Sequence, residues 1–219
     1  MSDATLTEMA THADRVCDAC VRLVGVSGAA LVLNADQGAE TICVTDPATE
    51  QMEELQFALG EGPGVDAHHL RRPVLEADLG AVDGERWPAF RRAALENGIA
   101  AVFAFPLQLG VIRLGTLDLY RDRAGALDHE QLADALVLAD VAIDGILDLQ
   151  AQVPPGALHP RFDDGGHRAA VHQATGVLSV QLGISMVDAL ARLRGHAYAG
   201  QRSLYDVAAD VVGDRVRLD

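Results

Sequence analysis

The sequence predicts an α+β protein in two parts, and three observations predict it. Short runs of β-type residues cluster in the centre of the chain, between two long helical patterns. The last fifty residues carry helical periodicity only. Between these regions lies a stretch rich in proline and glycine, Val153-Pro-Pro-Gly-Ala, then His159-Pro160 and Asp163-Asp-Gly-Gly166, which suits a linker over 151–165. At 219 residues there is enough chain for one medium domain and one small one.

In order along the chain, Leu6, Met9, Ala13, Val16, Cys20 and Leu23 step by three and four, so residues 1–25 read as an amphipathic helix with a heptad-like seam. β-type runs follow at Ala29–Leu33, Thr41–Thr45, Val74–Glu76, Ala101–Leu107 and Ile112–Tyr120. The last two flank Gly110 and should pair as a hairpin. Asp128–Gln150 reads as a long helix with Leu132, Leu136, Ala139, Ile143 and Ile146 on one seam and Leu138, Ala142 and Leu149 on another. Two apolar faces require two partners. One is the sheet; the other is expected to be a second copy of the chain, through Leu6, Ala13, Cys20, Leu132, Leu136 and Ile143. Residues 26–150 would then form the first domain and 166–219 the second.

In the second domain Val171, Ala174, Leu178 and Leu182 share a helical face. Ser185 with Asp188 forms a capping pair before Met186, Leu190, Leu193 and Ala197, and Ser203 with Asp206 repeats it before Leu204, Val207, Ala208 and Val211.

Composition narrows the function. All seventeen basic residues are arginine, against 32 acids, for a net charge of −15. From Pro160 onward seven arginines face seven acids, so the whole excess lies in the first part, which should repel nucleic acid. The polar start MSDATLTEM has no secretory pattern and the longest apolar run, Ile99–Leu107, is too short to span a bilayer; a cytoplasmic protein without membrane partners is expected. Three cysteines give no disulfide framework. Cys17 and Cys20 form a CxxC, but within a helical pattern where cysteine packs as a small hydrophobe, and Cys43 alternates within a strand. His68 and His69 are adjacent, which suits a solvated helix end. No P-loop, HExxH or GxSxG is present, so no enzyme, metal or cofactor is expected.

The residues QATG at 173–176, DAL at 188–190, LR at 193–194, Ala197 and DVA at 206–208 resemble the ANTAR domain. The resemblance implies a three-helix output module that binds paired RNA hairpins and suppresses transcription termination. At 100° per residue Arg168, His172, Thr175 and Ser179 form a polar strip that would face RNA, joined by Arg194, Arg202 and, for base stacking, Tyr198. Thr175 stands where many relatives carry lysine.

GEGPGVDA at 60–67, RWPAF at 86–90 and FAFPL at 103–107 resemble a GAF domain, specifically actinobacterial regulators that fuse GAF to ANTAR. That implies an antiparallel sheet flanked by helices with a small-molecule or redox-sensing pocket. Gly60, Gly62, Asp66, Trp87 and Phe90 would form its rim, and Phe103 and Phe105 its floor. The family's pocket cysteine position holds Gly64. Two alternatives remain open: a ligand-binding or protein-interaction module without RNA binding, and a cysteine-dependent reductase of the GAF fold.

Overall fold

The computed structural model describes residues 3–35, 38–81, 85–151 and 167–218. The linker reading of 151–165 therefore falls, but for Ala151, outside the described residues, as does the side chain of Leu6. The chain divides into an N-terminal and a C-terminal unit.

The N-terminal unit is built on one five-stranded sheet in the order β2-β1-β5-β4-β3, from β1 (Gly28–Ala35), β2 (Gly38–Val44), β3 (Val74–Glu76), β4 (Ala101–Leu109) and β5 (Ile112–Arg121). β5 pairs antiparallel with both β1 and β4, and β3 pairs antiparallel with β4. The β4–β5 hairpin turns at Gly110, whose φ of 58° is in the left-handed region.

Successive strand residues alternate between two cores. Phe103, Phe105, Leu117 and Leu119 face one side, against α1 (Asp3–Ala19), its π-helical extension Cys20–Val24 and α5 (His129–Ala151). Val102, Ala104 and Tyr120 face the other, with Met52, Ala67, Phe90 and Ala94 from α2 (Pro47–Leu59), α3 (Pro63–Leu70) and α4 (Pro88–Glu96). Each of these three short helices opens on proline at its first turn, where the missing N–H costs nothing. Asp46 caps α2 by accepting from the Ala48 and Thr49 amides, both at 3.0 Å.

Hydrophobic periodicity does not reveal α2, α3 and α4. In α2 the buried face carries Thr49, Glu53 and Gln56 beside Met52 and Phe57, so its inward side does not look apolar.

A second correction concerns the expected seam between copies. Ala13 and Cys20 are buried within the unit's own core, and Leu132 and Ile143 pack half-buried against it. Their periodicity reflects α1 and α5 lying on the sheet. Of the described seam residues Leu136 is the exposed one; it joins Val137 and Val141 on the outer side of α5.

The C-terminal unit contains α6 (His167–Leu182), α7 (Met186–Ala199) and α8 (Leu204–Val212). Val171, Ala174, Leu178, Ala189, Leu193, Ala197, Val207 and Ala208 are buried. The Ser185 hydroxyl accepts from the Asp188 amide at 3.1 Å, and the Ser203 hydroxyl from the Tyr205 amide at 3.2 Å.

Candidate functional sites

The loop between α2 and α3 is where the N-terminal unit gathers its polar chemistry. Gly60 ends α2 in the left-handed region, and Gly62 has φ 139°, a conformation essentially confined to glycine. A Cβ on Gly62 would collide with the Gln56 side chain, and one on Gly64 with the Asp118 carboxylate. The glycines thus let backbone lie directly on buried polar groups.

Those groups are Glu53 and Gln56 from α2 and Asp118 and Tyr120 from β5, all buried. Gln56 Nε2 lies 3.1 Å from Asp118 Oδ2, 2.9 Å from Tyr120 Oη and 3.5 Å from Glu53 Oε1. Its Oε1 accepts from the Gly64 amide at 2.8 Å, and the Tyr120 hydroxyl donates to Glu53 Oε1 at 2.5 Å. Burial pushes the Asp118 carboxyl up to about 7, and Tyr120 well above its ordinary value. Sequence reasoning missed this cluster; its signal was Asp118, an acid flanked by apolar residues in a strand pattern.

The loop is also tied to α4. Trp87, at φ 49°, supplies no side-chain cap to that helix. Glu61 Oε1 does so across the chain, accepting from the Ala89 and Phe90 amides, each at 2.9 Å. Trp87 Nε1 donates to Asp66 Oδ2 at 3.1 Å, and the Arg86 guanidinium stacks 3.9 Å from the Trp87 ring centroid while pairing with Asp66 and Glu76. The GEGPGVDA and RWPAF segments are therefore one hydrogen-bonded assembly, with Arg86 unanticipated.

Of the expected pocket residues, Gly60, Gly62, Asp66, Trp87 and Phe90 come together on this side of the sheet. Phe103 and Phe105 do not. They face α1 and α5, because odd-numbered residues of β4 point away from α3. His68 also departs from a solvated helix end: half-buried, it accepts from Asn34 Nδ2 at 3.0 Å, and burial beside Arg113 holds it down to about 4.

The three cysteines lie in the core on the opposite side from the 60–64 loop. The neighbouring Cys43 and burial raise the Cys17 thiol far above its ordinary value, and burial pushes Cys20 up to about 12. Neither is a reactive thiolate at neutral pH. Among the described residues no three His, Cys, Asp or Glu are grouped to hold a metal.

In the C-terminal unit the expected polar strip of α6 is turned inward. Thr175 is buried and its hydroxyl donates to the Val171 carbonyl at 2.7 Å, one turn back. The Ser179 hydroxyl donates to the Ile184 carbonyl at 2.7 Å, Arg168 is buried and His172 half-buried. The reason is that α6 packs against both α7 and α8, which widens its buried arc beyond one stripe. Arg194 is half-buried, and burial lowers it to about 10, still protonated at neutral pH. Arg202 pairs with Asp210, which also accepts from Arg215 at 2.7 Å; these hydrogen bonds hold the Asp210 carboxyl below its ordinary value. Tyr198 is 76% exposed. Arg192 and His196, which no sequence motif singles out, are exposed on the same helix.

Residues 166–212 match the family model described as the ANTAR domain. The C-terminal unit is an ANTAR domain. For the N-terminal unit the likeness is structural. It resembles the GAF domain of a phosphoenolpyruvate-protein phosphotransferase from Coxiella burnetii, at 16% identity and TM-score 0.53 over 66% of this chain and 85% of that one. The GAF domain of a two-component sensor histidine kinase from Bacillus halodurans matches at 13% identity and TM-score 0.51, over 69% and 98%. A type II free methionine-R-sulfoxide reductase from Thermoplasma acidophilum matches at 14% identity and TM-score 0.50, over 65% and 96%. The N-terminal unit thus has the GAF fold, upstream of the ANTAR domain. No curated protein is significantly similar to the chain. No single described helix is long and apolar enough to cross a membrane.

Proposed function

We propose that this GAF–ANTAR chain is a signal-responsive RNA-binding regulator of transcription termination, acting in the cytoplasm as a homodimer. The observation that carries the reading is the ANTAR match over 166–212, which spans all three helices of the C-terminal unit. RNA hairpins are its target and the GAF unit its input, accepting a small molecule near the 60–64 loop.

The RNA-facing surface is placed on α7 and the start of α8. Exposed Tyr198 offers a stacking face, Arg192 and His196 offer cationic or polar groups, and Arg202 is partly committed to Asp210. Arg168, Thr175 and Ser179 support the helix packing instead.

Filter binding of hairpin-containing RNA tests this. Tyr198→Ala combined with Arg192→Glu should weaken binding at least about tenfold, because the pair removes a base-stacking ring and a phosphate-neutralising charge. Wild-type protein that retains no hairpin RNA even at low salt would overturn the reading. The interaction-module alternative would then stand, favoured by the balance of seven arginines and seven acids from Pro160 onward.

A further inference from the structure

The β4–β5 hairpin ends in large apolar residues left in solvent. Leu109, Val111 and Ile112 are exposed at 53%, 79% and 58%. The end of α3 lies beside them: Gln108 Nε2 donates to the Arg71 carbonyl at 3.4 Å, and Gln108 stands opposite Arg113 in the hairpin. Arg71 closes α3 in the left-handed region, at φ 57°, its amide donating to the Ala67 carbonyl at 3.0 Å. Leu70, Arg71, Arg72 and Arg113 are all exposed. Aliphatic and cationic side chains thus alternate across one end of the unit.

This patch is out of character with its surroundings. Before Pro160 acids outnumber arginines by 25 to ten, yet 67–75 and 97–117, the segments that build the patch, contain no acid. Among the described residues none of Arg71, Arg72 and Arg113 forms an ion pair. Their field reaches inward: burial, then the charges of Arg113, His69 and Arg71, hold His68 down. The outward side of α5 has the opposite character. Leu136, Val137 and Val141 are exposed among Asp140, Asp144 and Asp148, which are exposed too and form no ion pair among the described residues. α5 contains neither lysine nor arginine. Two such helices packed face to face would set their aspartates against each other with no base to offset them.

We propose that the hairpin tip, with Arg71 and Arg113, is the docking surface for α5 of a second copy, the aliphatic side chains packing together and the arginines pairing with Asp140 and Asp144. The inference rests on the homodimer reading and names the contact that makes the dimer. In a two-fold pair a contact between unlike patches is made twice, once in each direction. Cations and acids then satisfy each other with no third component, and both apolar patches are covered without a like-charged pair. An anionic lipid surface also suits arginines beside aliphatics. It offers nothing to the acidic side of α5, however, and a net charge of −15 opposes the approach to it.

The test is sedimentation equilibrium of the full-length protein with two charge-reversal variants. One carries Arg71→Glu with Arg113→Glu on the tip, the other Asp140→Arg with Asp144→Arg on the helix. All four positions are exposed, so both variants should keep the wild-type thermal midpoint to within a few degrees. Each alone should self-associate at least about tenfold more weakly than wild type, because its tip and its helix now carry the same sign. An equimolar mixture should recover wild-type affinity, since in the mixed pair each tip meets a helix of opposite sign. A tip variant that associates as tightly as wild type would overturn the proposal and leave the dimer to another surface. So would a mixture no tighter than its components. If either reversal unfolds the protein, Arg113→Gln and Asp144→Asn replace it, each expected to weaken association about threefold. Wild type that is monomeric at tens of micromolar would remove the dimer reading together with this contact. Flotation with phosphatidylglycerol vesicles that the tip variant abolishes, while its self-association persists, would assign the patch to a membrane instead.

Discussion

Asp118 makes the protein's stability depend on pH in a direction opposite to that of most carboxylates. Its folded-state value of about 7 lies above the unfolded one, about 3.9, so the native state holds a proton that the unfolded chain releases. That contribution is full below the unfolded value and is lost as pH rises through about 7. Denaturant unfolding of the wild type should show stability falling between about pH 5 and pH 8, by on the order of a few kcal/mol, while Asp118→Asn flattens the slope. A wild type and variant with parallel pH profiles would remove Asp118 as the cause. At this scale the sequence is least legible. The family resemblance puts Phe103 and Phe105 on the pocket floor, and hydropathy does not correct it, because β4 is apolar on both faces and leaves open which parity points where. Thr175 reads as available because a helical wheel does not reveal that two neighbouring helices, and not one, cover α6.

Among the elements, α5 is where the proposed dimer can be tested. Its inner side, with Ala135, Leu138, Ala142 and Ile146, is spent on the sheet and α1. Its outer side leaves Leu136, Val137 and Val141 exposed at 44%, 60% and 39%, the apolar stripe available to a second copy. Leu136→Asp with Val137→Asp should convert a dimer to a folded monomer in sedimentation, whereas Ile143→Asp, set half-buried against the core, should destabilise the unit itself. A wild type already monomeric at tens of micromolar would end the dimer reading. Long or sharply bounded elements are legible: α5, the β4–β5 hairpin and the three ANTAR helices with their serine caps all lie within a few residues of expectation. The helices α2, α3 and α4 are not, and in α2 the reason is that it buries Thr49, Glu53 and Gln56 where a core face would carry aliphatics.

The whole molecule is two cores of very different size. One has a sheet covered on both faces; the other is three short helices whose buried side chains are mostly alanine, valine and leucine. A unit that small has little surplus stability, so one large cavity should unfold it. Leu193→Ala, at a fully buried position, should cost about 2–5 kcal/mol and melt the ANTAR domain alone, leaving hydrogen-exchange protection across β4 and β5 intact. Loss of protection in both units together would mean that they fold as one.

Trp87 is the single tryptophan in 219 residues, and it stands where the loop, α3 and α4 meet. Its indole N–H is held by a carboxylate, its face is covered by a guanidinium, and only 5% of it reaches solvent. Each of those three surroundings alters how an excited indole emits. The chain therefore contains its own optical gauge: unlabelled protein, excited at the red edge of its absorption, reports the state of this one corner with no second fluorophore of its kind to dilute the signal.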